Sequence, residues 1–426
     1  MSALPVLQPI DPGELQLDDE EARMDRGEYG KVLQWAIRMQ IETGVFFGAK
    51  RLVPVTNSHM MGDYEVMGKA GCELAQLLCE TGAKFRIPTT TDPRCVDFAA
   101  AECLRQDKTM VSEERELVRN ITRMGGLLTN TCINYQSVYQ PRFREHVAWG
   151  DTGAVIYCNA VLGARSNFES GPAAMAAGLT GRTPEYGFHL DRHRRGTMRF
   201  NVSAALEDLS DWGALGAAIA RHCDDYWQVP VLEGVSLEPS SDELKHLGAS
   251  LASYGSLAMF HILGTTPEAP SVEDLAADAE LADPITISDQ EIRAIYDSFA
   301  PNKREVDLVV LTGPQLSILE LQRVSELIKG HSVCADTKLI ITTNLQNYTI
   351  AQEMGIMEPI ERAGALVLKG TCFYLMGAGD MREKFGWTNV LTNSAKFANI
   401  MGGYRYRPVL RRTTDCIRAA VDGRLH

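Results

Sequence analysis

The stretch from Tyr157 to Gly187, YCNAVLGARSNFESGPAAMAAGLTGRTPEYG, packs glycine, alanine and small polar residues around two arginines. A guanidinium offers a planar fork that matches a carboxylate in two parallel hydrogen bonds, and glycine lets a ligand approach the backbone. Gly163-Ala164 before Arg165, with Asn159 and Asn167 on either side, therefore reads as an anion-holding turn. A helix beginning near Gly171-Pro172 adds its amide-rich positive end, because proline is tolerated in a first turn. The plainer alternative is a close-packed alanine helix behind a tight turn, with Arg165 in a structural salt bridge.

Other chemistry-bearing residues are scattered. Cys132 lies in the polar, aromatic-rich TNTCINYQ segment, with Glu145 and His146 downstream, and Cys372, within KGTCFYL, is expected to end a strand. Two thiolates from separate strand ends, with His59, can hold iron or an iron–sulfur cluster. Two buried free thiols are the alternative. In TNSAKFANIMGG, Asn393, Ser394 and Lys396 can take a carboxylate or phosphate. An N-capped helix with Lys396 on its solvent face explains the same residues. Glu268 reads as a solvated loop carboxylate. No Walker loop, HExxH, GxSxG or GxGxxG is present, which disfavours phosphoryl transfer, zinc proteolysis, esterase and nicotinamide chemistry.

The elements that must position these residues alternate apolar bursts with helical patterns, the mark of parallel sheets covered by helices. The predicted strand of RLVPV leads to a polar turn at Thr56–His59. A second such turn covers Thr89 to Asp92, and a third strand spans Val306–Leu311. Ligands of open α/β sheets collect at carboxyl strand ends, which here carry His59, Thr90, Gly313, Asn344 and Cys372. The basic FHLDRHRRGT reads as a surface loop, and the acidic, alanine-rich segment from Thr265 to Glu291 as a linker.

A chain of 426 residues needs two or three cores. With 45% hydrophobic and 23% charged residues it reads as a soluble globular protein, and a net charge of -13 argues against nucleic-acid and anionic-membrane surfaces. No apolar run approaches a membrane span. The proline-marked, acidic N-terminus lacks a signal pattern, and the ten cysteines contain no C-x-x-C pair, so a reducing cytoplasmic setting is expected.

RLVPVTNSHMMGDY, RIPTTTDP, TNTCINYQ, REHVAWGDTGAVIYCNAVLGARSN, LASYGSLAMFHILGTTPEAP, DLVVLTGPQLSILEL and VLTNSAKFANIMGG, in this order, resemble the large subunit of the aconitase X family from about Tyr29 to Gly403. The resemblance implies an aconitase-like assembly of about three α/β domains around a central cleft, lacking the swivelling domain. The expected boundaries are 1–205, carrying the GARSN turn, then 206–300 and 301–426. It implies a hydro-lyase acting on a small hydroxy acid such as cis-3-hydroxy-L-proline or, as in archaea, phosphorylated mevalonate. A separate small swivelling subunit is expected as partner, bringing a catalytic serine. It further implies substrate contacts from Arg165, Asn159, Asn167, Asn393 and Ser394, with His59 and Lys396 catalytic.

Departures accompany the match. Where relatives read Gly-Cys-Pro-His this chain reads TGPQ, so Gly313 stands where a third metal-binding cysteine is expected. Thr-Ser-Arg becomes Thr-Asn-Leu at Asn344-Leu345, and Asp-Thr-Cys becomes Gly370-Thr-Cys. Three states follow for the cofactor: iron on Cys132 and Cys372 alone, replacement ligands such as Cys95 or His59, or no metal. The expected mechanism pins a carboxylate with Arg165 and Asn167, abstracts the adjacent proton with the partner's serine, and assists the departing hydroxide with iron or His59. A related isomerase or lyase, and a catalytically silent ligand-binding scaffold, are the competing readings.

Overall fold

The computed structural model describes residues 13–235, 238–275 and 281–426. The first twelve residues of the N-terminus and the middle of the linker, 276–280, lie outside these. The alternating pattern folds as expected into parallel sheets. Ser58–Met60 lies between Thr89–Thr91 and Ala148–Trp149 in a three-stranded sheet, and a short antiparallel pair, Leu52–Pro54 with Arg182–Pro184, stands beside it. A four-stranded sheet orders His261–Ile262, Pro230–Glu233, Met198–Val202 and Ile285–Ile287. The five-stranded sheet orders Leu366–Lys369, Lys338–Thr343, Leu308–Leu316, Asn389–Thr392 and Arg407–Leu410.

Three sequence expectations change. Met198–Val202 pairs with Pro230–Glu233 and Ile285–Ile287, so the middle unit begins before Met198 rather than at 206, and the linker supplies one of its strands. The expected polar turns at Thr56–His59 and Thr89–Asp92 contain strands that are wholly buried. Their hydroxyls return hydrogen bonds to backbone, Thr90 Oγ1 to Ser58 O at 3.2 Å and Ser58 Oγ to Ala174 O at 2.5 Å, so burial leaves these donors paired. The strand expected at Val306–Leu311 runs on to Leu316, and its pairing with Lys338–Thr343 shifts register after Leu311. That irregular end carries the Thr312–Gln315 segment into the interior.

Local signals set the supporting helices. Asp151 caps Thr152–Ala160 by accepting from Ala154 N at 2.7 Å. Pro172 opens Pro172–Thr180 and left-handed Gly181 closes it. Ser394 caps Ala395–Met401 through Phe397 N at 3.1 Å. Gly150 makes the approach to Asp151 possible, because a Cβ there would stand 2.4 Å from the Ser170 carbonyl oxygen. Gly150→Ala should therefore cost roughly 1–3 kcal/mol or more, read as a lowered urea midpoint. An unchanged midpoint would show that the Ser170 backbone yields freely.

Candidate active site

The three-stranded and five-stranded sheets turn carboxyl strand ends toward each other. Between them stand His59, Asp92, Cys132 and Asp151 from the N-terminal part of the chain and Cys372 and Lys396 from the C-terminal part, all six buried. The backbones interlock there: Arg94 N donates to Gly370 O at 2.9 Å, and Gln315 N points at Cys132 Sγ at 3.3 Å. Ser394 Oγ donates to Gly313 O at 2.5 Å. Gly370 has φ +66°, and a Cβ there would sit 2.8 Å from Asn130 Cβ, so this departure from the family pattern is matched by its surroundings.

Lys396 occupies the first turn of its helix, where the dipole disfavours a cation. Its ammonium lies 3.8 Å from Asp151 Oδ2. Burial pulls its pKa down, but the neighbouring acids, Asp151 foremost, outweigh that and raise it, so the charge is favoured. The separation exceeds a hydrogen bond. The ammonium is thus neutralised at a distance and keeps donors to offer an anion.

His59 lies 2.8 Å through Nδ1 from Thr90 Oγ1. The Thr90 hydroxyl also reaches Ser58 O at 3.2 Å, which fixes the imidazole ring against the strand. Nε2 lies 3.6 Å from Asp92 Oδ1, and both atoms are buried without a hydrogen-bond partner. Burial depresses His59 to about 4, against the pull of Asp151 and the Thr131 backbone. Burial, reinforced by Asp151 and Asp63, drives Asp92 well above the usual carboxylate range, with Lys396 opposing. Burial therefore favours the neutral forms of the imidazole and of the carboxyl facing it, beside an ammonium whose charge is favoured.

Burial raises both thiols, Cys372 to about 11 and Cys132 well above its usual range. The Thr312 hydroxyl stands 3.6 Å from Cys372 Sγ. A three-thiolate cluster does not fit these residues: Gly313 supplies no side chain, and no group of three His, Cys, Asp or Glu among the described residues could hold a metal ion. Cys95 shares an apolar cluster with Cys372, but its thiol is engaged with Glu114.

The GARSN turn lies elsewhere. Arg165 bridges His146 at the amino end of Ala148–Trp149, whereas Asp151 follows its carboxyl end. The five residue steps from His146 to Asp151 span up to roughly 16 Å. The Arg165 guanidinium donates to His189 O at 2.6 Å and pairs with Asp191. Asn167 is held by Tyr186 O at 3.1 Å and Phe188 N at 3.0 Å. Asn159 binds Ser166 O and Ala258 O, both at 2.9 Å. Each of the three is therefore held by protein partners of its own. Asn393 donates to Thr413 Oγ1 at 3.1 Å, and Ser394 serves as cap and tether to Gly313. His146 and His189 lie 2.8 Å apart through Nδ1 in the Arg165 group. Glu268 is no solvated carboxylate, since it pairs with buried Arg194 at 2.6 Å.

Sequence models of this fold's relatives match in three consecutive parts: aconitase X first domain over residues 14–192, second domain over 196–297 and third domain over 306–422. The chain belongs to the aconitase X family. It is 32% identical over 392 residues to the phosphomevalonate dehydratase large subunit of Methanothermobacter thermautotrophicus, covering 92% of this chain and 95% of that one. It is 30% identical over 416 residues to the cis-3-hydroxy-L-proline dehydratase of Hypocrea jecorina, covering 96% and 69%. The crystal structure of Thermococcus kodakaraensis aconitase X in its holo form superposes with a TM-score of 0.85 at 30% identity, over 95% of this chain and all of that one. As an aconitase X protein, the chain shares its family with named dehydratases, that is, hydro-lyases.

Sequence reasoning passed over Asp92 and Asp151 as active-site groups. Their signals were present: a lone acid closing TTTD and an acidic cap in WGDTGA. The titration of His59 gives a test. Its folded pKa, about 4, lies below the ordinary 6.5, so it contributes stability present above 6.5 and lost as pH falls toward 4. His59→Asn should make the acid-side decline in unfolding free energy shallower across that window. An identical pH profile would mean that His59 titrates normally.

Proposed function

We propose that this chain is the large subunit of a hydro-lyase that removes water from a small hydroxy acid, with cis-3-hydroxy-L-proline as the model substrate. The observation that carries the reading is the buried group of Lys396, Asp151, Asp92 and His59 in a member of a dehydratase family. The name large subunit on its relatives supports a small partner subunit that completes the cleft. No helix among the described residues is long and apolar enough to cross a membrane, in keeping with a dissolved small-molecule substrate.

The chemistry follows from the protonation pattern. Lys396 takes the substrate carboxylate, a role expected of Arg165 before the folded arrangement was known. A base from the partner subunit removes the proton next to that carboxylate, the C–O bond breaks as the double bond forms, and the departing hydroxide needs a proton. Asp92, kept in its acid form by burial, supplies it, with His59 Nε2 3.6 Å away. Each well-placed proton transfer contributes roughly 10²–10⁴-fold. Because the residues do not assemble a three-thiolate site, no step is assigned to a metal. The altered Thr312–Gln315 and Asn344-Leu345 turns favour, as a second reading, a related lyase or isomerase on another acid.

Assays of the large–small complex on a hydroxyproline panel test this. Lys396→Met should lower kcat/KM by roughly 10²–10³-fold and also lower the melting temperature, because buried Asp151 loses its partner, whereas Asp92→Asn should lower kcat/KM by roughly 10²-fold or more with an unchanged melting curve. Arg165→Ala should stay within severalfold of the parent. No turnover of any hydroxy acid by the parent complex would sink the reading, and loss only in Arg165→Ala would return the carboxylate to the GARSN turn. A strong iron chelator should leave the rate intact, whereas inactivation restored by iron would demand a metal on Cys132 and Cys372.

A further inference from the structure

Gln315 lies at the crossing of the two thiol loops and has no role in the chemistry above. It is wholly buried, and its side-chain nitrogen donates to Asn130 O at 3.2 Å and to Thr371 O at 3.0 Å. Those carbonyls precede Cys132 and Cys372 by two residues and one, so a single amide ties both loops together. The backbone of Gln315 is fixed as well. Its N–H points at Cys132 Sγ, and its carbonyl accepts from Lys245 Nζ at 3.3 Å. Lys245 is itself buried and paired with Asp242 at 3.1 Å and with Glu320.

These contacts settle which way the amide points. Both partners are carbonyl oxygens, so the nitrogen must face them and Oε1 must point away. That oxygen is buried and has no hydrogen-bond partner. An unmet acceptor inside a protein is destabilising, and one held in place by two bonds from its own amide is poised for an incoming donor.

We propose that Gln315 is a positioning residue that senses the ligand: its nitrogen holds the Cys132 and Cys372 loops in register, and Oε1 accepts from a hydroxyl or secondary amine of the bound substrate. The identity of that substrate rests on the dehydratase reading; the brace between the loops does not. Binding adds a bond on the far side of the amide, so an occupied site should hold both loops more tightly than an empty one.

The test measures iodoacetamide labelling of individual cysteines in the large–small complex, with and without cis-3-hydroxy-L-proline. It compares the parent with Gln315→Met, which keeps the shape and loses every side-chain hydrogen bond, and with Gln315→His, which keeps one donor. Cys158, buried in the helix Thr152–Ala160, serves as the internal control. Labelling of Cys132 and Cys372 should accelerate roughly 10-fold or more in Gln315→Met, because losing buried hydrogen bonds favours local opening. Cys158 should be unaffected, Gln315→His should fall between, and KM should rise while ligand protection of the two thiols disappears. Parental labelling rates in both variants overturn the proposal, as does acceleration that is equal at Cys158 in both. Selective acceleration alongside a parent complex that turns over no hydroxy acid keeps the brace and removes the dehydratase reading. Unchanged labelling with normal turnover does the reverse.

Discussion

A charged ammonium held away from water needs an opposing charge nearby, and Lys396 finds it in Asp151. Asp151 belongs to the cap of a helix in the first region, whereas Lys396 belongs to the first turn of a helix in the third. The pair can exist only if two parallel sheets present their carboxyl ends to each other. Much of the surrounding detail serves that arrangement. Gly150 lets the chain pass the Ser170 carbonyl, Ser394 ties its helix to Gly313, and Arg94 joins the two backbones at Gly370.

The pair also divides the labour of the site. Lys396 keeps its charge in the field of the acids around it, Asp151 foremost, while burial pushes the adjoining His59 and Asp92 toward their neutral forms. Environments that drive neighbouring groups apart in pKa separate the holding of an anion from the handling of protons. The thiols fit this picture as neutral neighbours. Their loops are fixed by backbone contacts and by Gln315, not by a shared third thiolate. Gly313, at the position of the missing cysteine, carries φ +55° and gives its carbonyl to Ser394, so the segment has a structural use in its present form.

Much of the architecture was legible in the sequence because local signals agreed with the fold. Pro172 and Gly181 bracket a helix, Ser394 caps one, and the apolar bursts became strands of parallel sheets. The polar strands at Ser58–Met60 and Thr89–Thr91 were misread as turns, since threonine and serine can satisfy their hydroxyls inside a sheet as well as in a loop. The strand-end reasoning named His59, Thr90, Gly313, Asn344 and Cys372, of which His59 and Thr90 are hydrogen-bonded to each other. For Arg165 a structural salt bridge stood beside the anion-holding reading, and its partners Asp191 and the His189 carbonyl lie 24 to 26 residues on, beyond the short-range pattern. Asp92 and Asp151 gained their meaning only from tertiary contacts, which spacing along the chain does not encode.

The account turns on a carboxyl that keeps its proton beside a lysine that keeps its charge. Infrared difference spectroscopy of the parent protein against Asp92→Asn at neutral pH reads that proton directly, since the other buried acids cancel in the difference. A protonated-carboxyl band present in the parent and missing from the variant is the result expected. A difference showing only an ionised carboxylate would contradict the assignment of Asp92 as the proton donor and, with it, the proposed chemistry of the centre.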